Sequence, residues 1–400
     1  MKIGIVSNLY PPYSRGGAEN VVVRTVEELT AKNHEVFVVT GQPRDKGGLK
    51  KSNTGAEGVW RFFPKNLYFI LDDYRHWWIV RLCWHIIDSF SWYGANQVRQ
   101  VIEDEEPDII MTHNLKGIGL RIARAIQGKN VPHVHIVHDL QLIYPSGLLY
   151  AGREKMPFYV EPFYAIYRFI CRARLGRPDL VIFPSHYLEE VYSKYGFFKH
   201  SDISVMPNPA PRFDASPRAV RLSGPLRLLF VGQLEPHKGI KFLLDEFCKL
   251  DIDAKLIIAG EGTYVQKLKK RAEQDKRLIY LGFVSLEQLV NCFGIADALI
   301  VPSLCYENSP TVIYESLNAG VPVVASDIGG VGELVEDGVN GFLFQPGSES
   351  DFVRVLWKLD EKKDEFWSEQ EKIKQTVAPY ALELYTEKLL KQLQELIDRK

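Results

Sequence analysis

Short runs of apolar, mostly β-branched residues recur along the chain with helix-length stretches between them, and this alternation limits the fold more than any other feature. The first set is KIGIVS (2–7), EVFVVT (35–40), DIIMTH (108–113), HVHIVH (133–138) and DLVIFPS (179–185). A strand buried on both faces reads as a continuous apolar run, and strands separated by helices pair in parallel, so the pattern predicts a parallel sheet covered on both sides. After MPNPAPRFDASPRAVRLSGP (206–225), rich in Pro, Ser and Arg, the rhythm restarts with LRLLFVG (226–232), AKLIIAG (254–260), RLIYLG (277–282), DALIVPS (297–303) and VPVVAS (321–326). The 400 residues also exceed the length, about 250–300, at which a single core stops growing. The expectation is an α/β chain of two doubly wound, Rossmann-like domains, 1–207 and 226–378, joined by a linker at 208–225. A terminal helix is expected over 379–400, where YALELYTEKLLKQLQELIDRK (380–400) has apolar residues at helical spacing. Ligands of open α/β sheets collect at the carboxyl ends of the strands, so two such domains facing each other would enclose a cleft.

Composition narrows the function. With 46% hydrophobic and 25% charged residues the chain is that of a globular protein, and its net charge of -1 gives no general reason to bind nucleic acid. The apolar run at the N-terminus is too short for a signal peptide, and no segment offers the roughly 18 uninterrupted apolar residues of a membrane span, so the reading is of a cytoplasmic protein. Five scattered cysteines without C-x-x-C spacing argue against a disulfide framework or a zinc site. The segment 60–105 departs from the strand rhythm and reads as helical, with Trp77, Trp78, Trp84 and Trp92 in it. It suits a core or interdomain helix, or else a surface that meets a lipid-linked or bulky acceptor at the inner face of a membrane. The run YRFICRARLGR (167–177) poses the same choice: Arg168, Arg172, Arg174 and Arg177 form either a solvated face or a patch for anionic headgroups.

Several loops carry chemistry. SNLYPPYSRGGAEN (7–20) leads from the first strand into a helix at about Gly17, and its paired glycines let backbone N–H groups approach an anion at the helix N-terminus, or merely let helix and strand pack closely. The dinucleotide pattern G-x-G-x-x-G is absent there, which counts against a nicotinamide enzyme. In the second half FVGQLEPHKGIKF (230–242) repeats the geometry, with Lys238 placed to meet phosphate oxygens. SLCYENSPTVIYESLNAG (303–320) supplies two acids around a helix start. Pro310 suits the first helical turn, with Ser309 or Asn308 as its cap. Glu307 precedes the helix and Glu315 lies one turn inside it; each could be a structural carboxylate, or could accept hydrogen bonds from vicinal sugar hydroxyls. The histidines of HVHIVHD (133–139) invite a metal reading, but His133 and His135 share one strand face while His138 and Asp139 fall beyond it.

Taken in order, GGAE (16–19), HD (138–139), VGQLEPHKG (231–239), AGEG (259–262) and PSLCYENSPTVIYESLNAGVPVVASDIGGVGELVEDGVNGFLF (302–344) resemble the retaining glycosyltransferases of family 4, whose Glu-x7-Glu pattern is matched by Glu307 and Glu315. The resemblance implies the GT-B fold, a nucleoside-diphosphate sugar as co-substrate, no bound cofactor or metal, and a glycan, lipid-linked or small-molecule acceptor. It implies His138, Lys238 and Glu307 as catalytic residues, with His138 beside the donor sugar, Lys238 on the diphosphate and Glu307 on sugar hydroxyls. Gly16 and Gly17 would approach the donor phosphate or the acceptor, Asn308, Ser309, Pro310, Thr311 and Val312 would form a phosphate-binding turn, and Glu315 would hold the ribose. It also implies that the last helix returns to the first domain. One position departs from the pattern: Gln233 stands where the family often has a diphosphate-binding arginine, leaving Arg15 or His237 as substitute cations. Two rivals follow, a nucleotide-sugar 2-epimerase on the same fold and a non-catalytic nucleotide-sugar-binding partner of another transferase.

Overall fold

A computed structural model describes residues 1–54, 57–154, 157, 159–212 and 223–400. The chain divides into two compact units, one of Met1–Leu148, Met156–Asn208 and Leu382–Lys400, the other of Leu149–Lys155 and Pro209–Ala381. Residues 213–222 of the stretch expected as a linker lie outside the described residues.

The first unit holds β1 (Lys2–Ser7), β2 (Glu35–Gly41), β3 (Lys50–Thr54), β4 (Glu57–Phe62), β5 (Ile109–Thr112), β6 (His133–Ile136), β7 (Leu180–Phe183) and β8 (Asp202–Val205). They form one sheet in the order β3-β4-β2-β1-β5-β6-β7-β8, parallel except for β3, which runs antiparallel to β4. Its helices are α1 (Gly17–Ala31), α2 (Trp78–Phe90), α3 (Tyr93–Glu105), α4 (Ile122–Gln127), α5 (Glu161–Leu175) and α6 (His186–Lys194). In the other unit β9 (Leu226–Val231), β10 (Ala254–Ala259), β11 (Leu278–Gly282), β12 (Ala298–Val301), β13 (Val323–Ser326) and β14 (Gly341–Phe344) form a wholly parallel sheet ordered β11-β10-β9-β12-β13-β14. Around it run α7 (Ile240–Phe247), α8 (Val265–Gln274), α9 (Leu286–Ile295), α10 (Thr311–Asn318), α11 (Glu349–Ser368) and α12 (Gln370–Val377).

The apolar runs become strands because both faces are buried: Ile3, Ile5, Val38, Met111, Val134 and Ile182 share one core with Val22, Val26 and Leu29 of α1. The last helix, α13 (Leu382–Asp398), belongs to this first unit and adds Tyr385, Leu389, Leu393 and Leu396 to the same core. A fully buried leucine contributes roughly 1.5–3 kcal/mol, so α13 is held by its apolar stripe more than by Lys32–Glu387, Arg399–Asp202 or Lys400–Asp179 at its margins. The helical reading of 60–105 needs correction at its start, since Trp60–Phe62 close strand β4 and Ile70–Arg75 form 3-10 turns before α2 and α3. Strand β4 carries Glu57 and Arg61 and pairs with the polar edge strand β3, so burial leaves no continuous apolar run there. Among the described residues no helix is long and apolar enough to cross a membrane.

Candidate functional site

Strand order fixes where loops meet. In the second unit the order turns between β9 and its neighbour β12, and the loops leaving those two strands come together there. Leu304 N–H donates to the His237 carbonyl at 2.9 Å, stitching one loop to the other. The chain passes so close that Gly239, at φ +76°, has no room for a side chain: a Cβ there would lie 1.7 Å from the Pro302 carbonyl oxygen. Gly239→Ala therefore combines a left-handed backbone with a main-chain clash and should destabilise the unit by roughly 3 kcal/mol or more. An unchanged urea midpoint would show that the crossing is not as tight as described.

This crossing brings Lys238 to Glu307. The Lys238 Nζ donates to Glu307 Oε1 at 2.6 Å, and the Ser303 hydroxyl donates to the same oxygen at 2.8 Å. Burial works against charge on both groups, yet Glu307 stays below the usual carboxylate range because Lys238, Ser303 and His237 favour its anion, and Lys238 is raised by Glu307. The Glu307 backbone is fixed as well. Its carbonyl accepts the Gly330 N–H at 2.8 Å, and Gly329, at φ +63°, packs against it where a Cβ would approach to 2.1 Å. A charged pair across 69 residues of sequence is thus held by hydrogen bonds, turns and two glycines.

Helix α10 follows directly. Pro310 is not in the first turn but is the residue before it, and no side chain caps the helix. Ser309, one of the two expected caps, instead shares a 2.7 Å hydrogen bond with the Tyr314 hydroxyl. With the cap position filled by proline, the first-turn amides of Thr311 and Val312 are left for a ligand or solvent. Glu315 lies buried inside the helix. Gln233 sits in the loop after β9, where its carbonyl accepts the Glu235 N–H at 2.9 Å. Burial and then Lys238 lower the pKa of His237, against Glu307 and Glu235.

The first unit repeats the arrangement where its order turns between β1 and β5. Gly16 precedes α1 in extended conformation and Gly17 opens it; the Gly16 N–H donates to Glu19 at 2.8 Å. Burial raises the pKa of Glu19 against these backbone hydrogen bonds and Arg15. At the end of β5, His113 Nδ1 lies 2.8 Å from Nε2 of His138, which follows β6, and the two rings stack. Burial pushes His138 down to about 4 and His113 well below its ordinary value, so both are neutral at pH 7. Beside them burial raises Asp139 to about 6 and lowers Lys116, whose Nζ donates to the Pro145 carbonyl at 2.8 Å. His133 and His135 are elsewhere: both rings reach the Thr112 hydroxyl, at 2.8 and 2.9 Å, inside the sheet.

The expected residues therefore fall into two groups. Lys238 and Glu307 are in contact, with α10 and its buried Glu315 next along the chain, while Gly16, Gly17 and His138 lie in the first unit beside Glu19 and His113. Sequence reasoning missed Ser303, Glu19 and His113 as partners. A signal for His113 existed, because DIIMTH (108–113) and HVHIVH (133–138) each place a histidine at the carboxyl end of neighbouring parallel strands.

Comparison with known proteins gives two family matches: Glycosyltransferase Family 4 over residues 15–211 and Glycosyl transferases group 1 over residues 213–377. The chain is 26% identical over 377 residues to an uncharacterized 42.6 kDa protein in the cps region of Klebsiella pneumoniae, covering 92% of this chain and 96% of that one. A glycogen synthase of Mycobacterium tuberculosis is 27% identical over 363 residues, covering 86% and 83%. Among solved structures, Anabaena Alr3699/HepE in complex with UDP superposes with a TM-score of 0.71 at 18% identity, covering 99% of this chain and all of that one. With one model matching each half and the fold shared along the full length, the chain belongs to family 4 of the retaining glycosyltransferases, GT-B enzymes that transfer a sugar from a nucleotide-sugar donor.

Proposed function

We propose that the second unit binds a nucleoside-diphosphate sugar around Lys238, Glu307 and the start of α10, and that transfer to a glycan, lipid-linked or small-molecule hydroxyl proceeds without a metal ion. The observation that carries this reading is the part-buried Lys238–Glu307 pair beside a helix N-terminus with no side-chain cap. In the free protein the lysine neutralises the carboxylate, so an incoming diphosphate meets no bare negative charge. Once the donor is bound, the ammonium turns to the phosphate oxygens and Glu307 accepts sugar hydroxyls in its place.

Breaking the bond between the anomeric carbon and phosphate oxygen leaves positive charge on the sugar ring and negative charge on the departing diphosphate. Lys238 and the amides of Asn308 to Val312, including Ser309 and Thr311, stabilise that charge in a partly dry site. Pro310 has no N–H and acts by shaping the turn. The departing phosphate oxygen takes the proton of the acceptor hydroxyl on the face it leaves, which gives retention with no enzymatic nucleophile. Glu315 holds the ribose. In the first unit Gly16 and Gly17 approach the donor phosphate or the acceptor, and neutral His138, oriented by His113, hydrogen-bonds the donor sugar.

UDP and UDP-glucose are the first ligands to test, because HepE holds both in solved complexes. The decisive experiment is product analysis by NMR with a panel of UDP-, GDP- and ADP-sugars and acceptors. The reading expects an acceptor-dependent product with the donor's anomeric configuration. An epimer formed from the donor alone would overturn it in favour of the 2-epimerase, and donor binding without turnover would favour a non-catalytic partner. Gln233→Arg adds the cation common in the family and should tighten donor binding about tenfold by calorimetry, about 1.4 kcal/mol. Unchanged affinity would place residue 233 away from the diphosphate.

A further inference from the structure

The helix α2 is turned inside out. Its solvent face carries Trp78, Ile79, Leu82, Ile86 and Phe90 with no charged residue among them, while Asp88 is buried beneath and accepts the Gly117 N–H at 2.9 Å. Trp77, just before the helix, is 81% exposed and Trp78 is 71% exposed. The fold does not require this, because Trp84 on the opposite face already anchors α2 to the core, stacked on Tyr68 at 5.5 Å. Alongside, α5 exposes Phe163, Ile166 and Phe169. The two helices touch through the Arg174 guanidinium, which lies 4.7 Å above the Phe90 ring. Isolated surface apolar residues are ordinary, but a contiguous patch of this kind marks a binding surface.

Charge identifies the occupant. Arg121 stacks on Trp92 at 3.8 Å and sits near enough to Arg174 that, after burial, the charge of Arg174 depresses it. Among the described residues neither arginine, nor Arg172, has a carboxylate within ion-pair distance. Where α5 ends, Arg172, Arg177, Lys199 and His200 line a cavity of about 220 Å³ with no acidic side chain among the described residues that line it. A second copy of the chain would bring like-charged guanidinium groups together across a two-fold axis. Lipid headgroups bearing phosphate supply the missing negative charge, and tryptophan and phenylalanine suit the boundary between headgroups and acyl chains.

We propose that the outer faces of α2 and α5 dock the protein on a bilayer containing anionic lipid, the aromatic side chains entering the interface and the arginines engaging headgroups. This docking does not depend on the donor assignment, and its test uses no transfer reaction. The full-length protein is sedimented with vesicles of phosphatidylcholine alone, or mixed with about one third phosphatidylglycerol. Partition is expected to be at least about tenfold stronger on the anionic vesicles and to weaken with salt. Trp77→Ser with Trp78→Ser should reduce partition at least about tenfold, and the serine at position 77 is itself a good helix cap that keeps α2 folded. Arg121→Gln with Arg174→Gln should erase the preference for anionic vesicles. Phe163→Ser on the other helix gives an independent reading, and circular dichroism melting checks that each variant is folded. Absence of binding to anionic vesicles at low salt, equal binding to both vesicle types, or a solution dimer that the tryptophan pair abolishes would overturn the proposal.

Discussion

Lys238→Ala and Glu307→Ala should each lower kcat/KM for sugar transfer by about 10²–10³, the size of effect seen when one donor stabilising a departing charge is removed. Each single change should also destabilise the protein more than the double variant does. Either single change leaves a largely buried charge without its partner and should cost roughly 3 kcal/mol, an estimate held to the low end because the Lys238 side chain is 31% exposed. Removing both charges relieves that penalty, so Lys238→Ala/Glu307→Ala should be more stable than either single variant while remaining inactive. Equal or additive losses in urea would show that the pair is not coupled in the free protein. The pair's contribution is present above the ordinary carboxylate range, since Glu307 is lowered, and below the ordinary lysine range, since Lys238 is raised. It should therefore be flat across neutral pH and fade only at the extremes.

Acid should destabilise the first unit through its buried histidines. Burial pushes His133 and His135 down to about 3 and His138 to about 4, and holds His113 well below its ordinary value. In the unfolded chain a histidine takes its proton near pH 6.5, so between that value and the folded ones the unfolded state binds more protons. Stability from these groups is complete above about pH 6.5 and is lost as pH falls; at about pH 5 His133, His135 and His138 each withhold roughly 2 kcal/mol. Several such groups together rival the net stability of a domain. The urea midpoint should fall from about pH 7.5 to about pH 5, less than the histidines alone dictate because burial lifts Asp88 to about 7 and Asp139 to about 6 and these carboxyls take up protons in the folded chain, and His133→Gln/His135→Gln should flatten that fall whatever it does to the midpoint itself. An equal slope in wild type and variant would mean these histidines are solvated.

What the sequence made legible was the part of the fold built on repeated burial. Strands such as KIGIVS and LRLLFVG have both faces covered, and their apolar runs announce it. Strands β3, β4, β8 and β14 lie at or near a sheet edge and went unread, the first three because polar residues alternate or dominate there and β14 because its apolar run is only four residues long. Leu149–Lys155 joins the second unit through backbone bonds such as Tyr306 N–H to the Leu149 carbonyl, and nothing in its composition distinguishes it from its neighbours. At the site, residue types were readable and partnerships were not. Pro310 and Ser309 looked like helix start and cap, but tertiary packing gave the serine hydroxyl to Tyr314. Lys238 and Glu307 looked like independent ligands of phosphate and sugar; that they first hold each other follows from β9 lying beside β12, a neighbour relation no local pattern encodes.

The return of α13 to the first unit has a consequence for synthesis. Tyr385, Leu389, Leu393 and Leu396 complete the core begun by Ile3 and Ile5, so a chain emerging from the ribosome must leave that sheet partly bare while the whole second unit is translated. The first structure started is thus the last one finished, and during that interval the uncovered face of β1 and its neighbours is what a chaperone would have to shield.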